Sequence, residues 1–197
     1  MRRAHLHPAY WKTLARLRLG FQTHIAVESD ALRFIDYPFQ PSCVFPTGIV
    51  HRNAIGEVNP DTPNQVRLVS GEILFVFHSD QGALLEFAGR HGVPVRKRAS
   101  IWCELLEPFL DTWQDQATID RQFARLAECG LSREQVTAWR EEVTIAMVAF
   151  NFGSMLWEWT QLDLHDVLMA QRARLSRKAF ADFYVRAMAL AALDPVV

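Results

Sequence analysis

Gln65-Val-Arg-Leu-Val-Ser-Gly-Glu-Ile-Leu-Phe-Val-Phe77 reads QVRLVSGEILFVF. Two runs rich in β-branched and aromatic residues, QVRLV (65–69) and EILFVF (72–77), flank Ser70-Gly71. That pattern predicts a β-hairpin closed by a two-residue turn. Its neighbours decide what kind of sheet it joins.

Upstream, THIAVES (23–29) and ALRFIDY (31–37) read as two short strands around a Ser-Asp turn. PFQPSCVFPTG (38–48) holds three prolines and reads as a loop, and NPDTPN (59–64) is turn chemistry. IVHR (49–52) and AIGEVN (54–59) are weaker strand candidates. Further back, Pro8 suits a first helical turn, Leu14, Leu17 and Phe21 keep helical spacing, and Gly20 suits a C-terminal cap. Downstream, Ser79-Asp80 caps a helix to about Arg90, Gly92 ends it, and VPVRKRA (93–99) returns as a strand.

From Ser100 the pattern turns helical. Ser100 caps one helix and Pro108 kinks or stops it. A second helix spans about Thr118 to Cys129 and ends at Gly130. Ser132-Arg-Glu-Gln135 matches a capping box, so a third helix starts there and runs to about Trp159. Asp163 and Ser176 cap two more, the last with Phe180, Phe183, Val185, Met188 and Leu190 to bury. The expected architecture is α+β, a small and mainly antiparallel sheet in the N-terminal half packed against a C-terminal helical layer or bundle. Residues 1–99 form a β-rich region with an N-terminal helix and a strand-helix-strand unit, and residues 100–197 form the helical region. Each half is small for its apolar content, so the two are expected to act as one cooperative unit.

Half of the 197 residues are hydrophobic and 22% are charged, the balance of a soluble globular chain rather than a disordered one. The net charge of −1 gives no overall pull toward nucleic acid or anionic lipid. Its distribution is uneven: +4 over residues 1–100, −8 over 101–166 and +3 over 167–197. That segregation suits internal complementarity or a dimer contact. Three scattered cysteines, Cys43, Cys103 and Cys129, argue against a disulfide framework and a thiolate zinc site and point to a reducing, cytoplasmic compartment. Arginine outnumbers lysine 18 to 3, the usage of a GC-rich, bacterial coding sequence.

The stretch Ala146–Asp166, AMVAFNFGSMLWEWTQLDLHD, is apolar at first and then polar. Fifteen uncharged residues between Glu142 and Glu158 fall short of the roughly twenty of a membrane span. They read instead as a central core helix, hydrophobic on nearly all sides, with Asn151 bonded to a neighbouring backbone group.

Chemistry has three candidate seats. Glu158, Asp163, His165 and Asp166 could bind a divalent metal or share a proton, although Asp163 and Asp166 also suit a helix N-terminus. Glu104, Glu107 and Asp111 lie at i, i+3, i+7 and could hold a metal together with His165; the simpler reading is a solvated acidic face. Trp102, Trp157 and Trp159 could line a pocket for a small ligand, or form core. The basic runs Arg96-Lys97-Arg98 and Arg172–Lys178 lack interleaved aromatics, so no nucleic-acid partner is expected. Nucleophile-elbow, phosphate-loop, dinucleotide and HExxH motifs are absent.

Three functions follow as expectations. The first is a cytoplasmic accessory, regulatory or protein-interaction protein without catalytic activity or cofactor, binding a protein partner or a second copy of itself. The second is a small metal-assisted hydrolase in which a divalent ion bound by those acids and His165 supplies hydroxide. The third is a small-ligand sensor with an aromatic pocket.

Overall fold

The computed structural model of the protein describes residues 23–61, 63–110, 114–154 and 161–197. Among them lie six β-strands and six α-helices, an α+β fold in which two three-stranded antiparallel sheets precede most of the helices. The helix expected near residues 8–20 falls outside the described residues. Contacts divide the described chain into two compact units. Residues 23–99 with 181–197 make a strand unit, and residues 100–180 make a helical unit.

In the strand unit, β1 (His24–Val27) and β2 (Ala31–Ile35) form the first hairpin, and β3 (Gly48–His51) pairs on the other side of β2. Leu32, Phe34 and Val50 alternate onto the buried face, as a half-buried antiparallel sheet requires. The proline-rich loop folds back over β3. A Cβ at Gly48 would stand 2.7 Å from the Val44 Cα, so only glycine admits that approach.

The second sheet runs β4 (Ile55–Asn59), β5 (Asn64–Leu68), β6 (Ile73–Val76), in that order. The hairpin that opens the sequence reading is therefore real, but its turn is longer than expected. Gly71 N donates to Leu68 O at 2.9 Å and Leu68 N to Glu72 O at 2.8 Å, so the loop is Val69-Ser70-Gly71. Gly71 takes φ +91°, the left-handed residue that completes a three-residue hairpin loop.

Two outer strands have edge amides, left unpaired by the sheet, that are bonded by side chains. On β6, Ile73 N donates to the Met188 Sδ (3.4 Å) and Phe75 N to the Tyr37 hydroxyl (3.3 Å). On β1, Ile25 N donates to Asp80 Oδ2 at 3.0 Å. Asp80 thus precedes α1 (Gln81–His91) without capping it by its side chain, the role expected of it, because its carboxylate serves the strand edge instead. Gly92, at φ +65°, ends α1 as its sequence position suggests.

The strand expected over 93–99 is reduced to two isolated bridges. Val95 pairs in parallel with Val58 of β4, and Arg98 pairs antiparallel with Val196. The segment thus returns beside β4, not beside β6, and its backbone bridges only one residue of β4 and one of a short C-terminal tail.

In the helical unit lie α2 (Ile101–Leu106), α3 (Gln116–Glu128), α4 (Arg133–Ser154) and α5 (Leu164–Arg174). Their starts follow the sequence. Ser100 Oγ accepts from Cys103 N at 3.3 Å, and Asp115 Oδ1 from Thr118 N at 2.8 Å. The Ser132–Gln135 capping box closes reciprocally at 2.8 and 3.2 Å. Pro108 ends α2 in a single 3-10 turn, Glu107–Phe109. The exposed carbonyls at the end of α2 are taken up by Arg140 of α4, which donates to Leu105 O and Glu104 O, both at 3.2 Å. Trp102 of α2 packs edge-on against Trp139 of α4 with centroids 5.4 Å apart, and Gln171 of α5 donates to Glu142 O at 3.3 Å.

The last helix, α6 (Arg177–Ala191), belongs to the strand unit from Ala181 onward. Phe180, Phe183, Met188 and Leu190 are buried as expected, whereas Val185 points outward. Tyr184 joins an aromatic ladder running Phe34, Tyr37, Phe39, Phe75, with centroid spacings of 5.7–6.1 Å. No helix among the described residues is long and apolar enough to cross a membrane.

Candidate functional site

The acid-and-histidine cluster at the end of the apolar stretch resolves into a helix start. Asp163 is the N-cap of α5, its Oδ1 accepting from His165 N at 2.8 Å, while Asp166 Oδ2 accepts from Asp163 N at 3.0 Å. This reciprocal box engages both carboxylates with backbone donors. The break at Leu162-Asp163 removes the helix face that Glu158, Gln161 and His165 would have shared; Glu158 itself lies outside the described residues. Burial pushes the His165 imidazole down to a pKa of about 3, so the ring is neutral near pH 7.

Glu104 and Glu107 meet a cation from the neighbouring helix. Arg125 Nη2 of α3 lies 2.6 Å from Glu104 Oε2 and 3.9 Å from Glu107 Oε2. Asp111 lies outside the described residues, and so do Trp157 and Trp159. Trp102 is fully buried, as core. Among the described residues, no three His, Cys, Asp or Glu side chains gather as metal ligands would. Cys43 is exposed yet its thiol is pushed up to a pKa of about 12, by burial of the sulfur and then by Glu72, which keeps it protonated.

Two polar constellations escape a reading of the sequence. The first is a buried ion network in the strand unit. Arg67 Nη2 reaches Asp194 Oδ2 at 2.5 Å, Arg67 Nη1 donates to Ala191 O at 3.0 Å, and Arg98 binds Glu57 through Nε and Nη2 and donates to Asp194 O at 2.6 Å. Glu57 and Arg67 face each other across β4 and β5. The hydrogen bond from Arg98 holds the Glu57 carboxyl below the usual range against the opposing effect of burial; Arg67 and Arg96 add to it. Only the cross-strand pair had a sequence signal, the register of two adjacent strands; Arg98 and Asp194 arrive from 41 and 127 residues away. The second is His24, whose Nδ1 lies 3.3 Å from Asp80 Oδ2. The same oxygen takes the edge N–H of β1, so its structural duty is already explained.

The outward side of α4 carries an exposed apolar stripe. The helix was expected to be buried nearly all round, but its packing is one-sided. Val143, Ala146, Met147, Ala149 and Phe150 are buried, while Ile145 and Val148 remain 42% and 41% exposed. Thr137, Ala138, Glu141 and Thr144 continue that exposed stripe at helical spacing. The two threonine hydroxyls donate back to their own helix, Thr137 to Arg133 O at 2.9 Å and Thr144 to Arg140 O at 2.6 Å. With the hydroxyls so engaged, what these residues add to the stripe is chiefly methyl surface. Toward the start of α4 the stripe opens into a depression of about 420 Å³ lined by Arg133, Glu134, Thr137, Ala138 and Glu141.

Comparison of the chain with protein families, with curated proteins and with solved structures finds no match.

Proposed function

We propose that the protein is a non-catalytic protein-interaction module of the cytoplasm whose contact is the outward face of α4. The observation that carries this reading is the exposed stripe Ala138, Ile145, Val148, widened by the methyl groups of Thr137 and Thr144. Scattered exposed apolar residues need no explanation, whereas contiguous apolar surface rimmed by polar residues marks interaction sites. The engagement of Asp163, Asp166, Glu104 and Glu107 in caps and ion pairs supports the same reading, because each already has a structural partner.

The test is a photo-crosslinking amino acid placed at Ile145 in cells that make the protein, with Ala124 on the exposed side of α3 as control. A covalent adduct of defined mass is expected from position 145 alone and is lost when Val148→Asp is added. Identical patterns from the two positions would refute the contact. An adduct of twice the 22.6 kDa chain would identify the partner as a second copy.

A further inference from the structure

We infer that the α4 face receives a cationic amphipathic helix of a partner protein, an inference that rests on the interaction reading above. The argument is charge. Within the depression the exposed carboxylates are Glu134 and Glu141, seven residues apart and so about 10.5 Å along the axis, one on each side of Ala138. The cation beside them, Arg133, also lines the depression but is shared with α3. Arg133 lies over the Phe123 ring, 4.1 Å from its centroid, and its Nη2 is 3.6 Å from Asp120 of α3. Glu134 accepts from the Ser132 hydroxyl at 2.8 Å, a neutral partner that leaves its charge in place. The stripe is thus acidic at one end and apolar at the other, where Ile145 and Val148 stand.

A second copy fits this surface poorly. Antiparallel pairing of two α4 stripes about their midpoint would set Glu141 against Glu141, and like charges directly opposed are destabilising. A partner helix with basic side chains two turns apart, and apolar residues following on the same face, meets both ends of the stripe. Its first basic group enters the depression between the carboxylates, and its apolar side chains cover Ile145 and Val148. This is helix-on-groove recognition with a charge key.

The experiment uses the full chain and two fluorescein-labelled synthetic helices. One is a soluble helix with leucine on one face, lysine at seven-residue spacing on that face, and alanine and glutamine elsewhere; the other has every lysine replaced by glutamate. Fluorescence anisotropy is followed as salt is raised. The lysine helix is expected to bind, at least tenfold more weakly to Glu134→Gln/Glu141→Gln and to Ile145→Ser/Val148→Ser, with the charge-dependent part fading at high salt. The glutamate helix is expected not to bind. Thermal unfolding of each variant matched to the parent chain keeps misfolding out of the comparison. Equal binding of the two helices, or indifference to Glu134→Gln/Glu141→Gln, would overturn the cationic partner. Sedimentation that shows Glu141→Gln strengthening self-association would overturn it in favour of a second copy. If the crosslink at position 145 survives Glu134→Gln/Glu141→Gln unchanged, the contact stands and only the charge key fails.

Discussion

His165 shows how one residue type supports two opposite readings. Beside Asp163 and Asp166 in the sequence it suggests an ionisable cluster; in the fold it is a neutral ring held out of water, with its pKa lowered from 6.5 to about 3. The consequence is a pH dependence of stability with a definite sign. Unfolding releases the ring to water, where it binds a proton below about pH 6.5. Above that pH neither state is protonated and the term vanishes. Between 6.5 and about 3 the unfolded state alone takes up the proton, so stability falls as pH falls. Chemical denaturation across this window should show that slope, and His165→Phe should flatten it between pH 6.5 and 5, before Glu57 begins to lose its charge. An unchanged slope in the variant would place the ring in water. The sequence contained the cue for the caps, since Asp163 stands three residues before Asp166 ahead of an apolar run. It contained no cue for the burial of the ring, which depends on what the helix packs against.

At the scale of elements, local chemistry was legible and long-range pairing was not. Ser100, the Ser132–Gln135 box, Asp163 and Gly92 mark helix ends where the sequence places them, because capping is decided within a few residues. The bridges of 93–99, the outward face of α4 and the network of Glu57, Arg67, Arg98 and Asp194 depend on partners tens of residues away. Periodicity overestimated the burial of α4 for a physical reason. An apolar run reports what a helix could bury, and the neighbours decide how much of it they cover. The ion network gives a prediction at this scale. Arg67→Met takes a buried ion-pair partner from Asp194 and should cost on the order of 3–5 kcal/mol in urea unfolding. Adding Asp194→Leu should recover a large part of that loss, because replacing both partners removes a buried charge that has lost its closest cation. Strictly additive losses in the double variant would mean that the two side chains do not act as a pair.

Across the whole molecule, the strand unit is discontinuous in sequence. The chain leaves it after Ala99 and re-enters at Ala181. The returning segment supplies Asp194 to Arg67, the Tyr184 hydroxyl to Glu72 at 2.8 Å, and the Met188 sulfur to the edge of β6. A fragment of residues 1–99 therefore contains every strand among the described residues but lacks the groups that seal them. It is expected to unfold without a cooperative transition when made alone and to regain one when produced together with residues 100–197. A sharp transition in the lone fragment would show that these seals are dispensable. The sequence marks the change from strands to helices near Ser100, but nothing in local pattern says that the chain's last residues return to the strands.

The closed edges of β1 and β6 also bear on what the molecule does in a crowd. A bare outer strand is a template on which a second chain can lay its own backbone, and repetition of that step builds fibres. Here Asp80, Tyr37 and Met188 already hold three of the amides that such growth would use. At high concentration those two strands are therefore poor seeds for polymerisation.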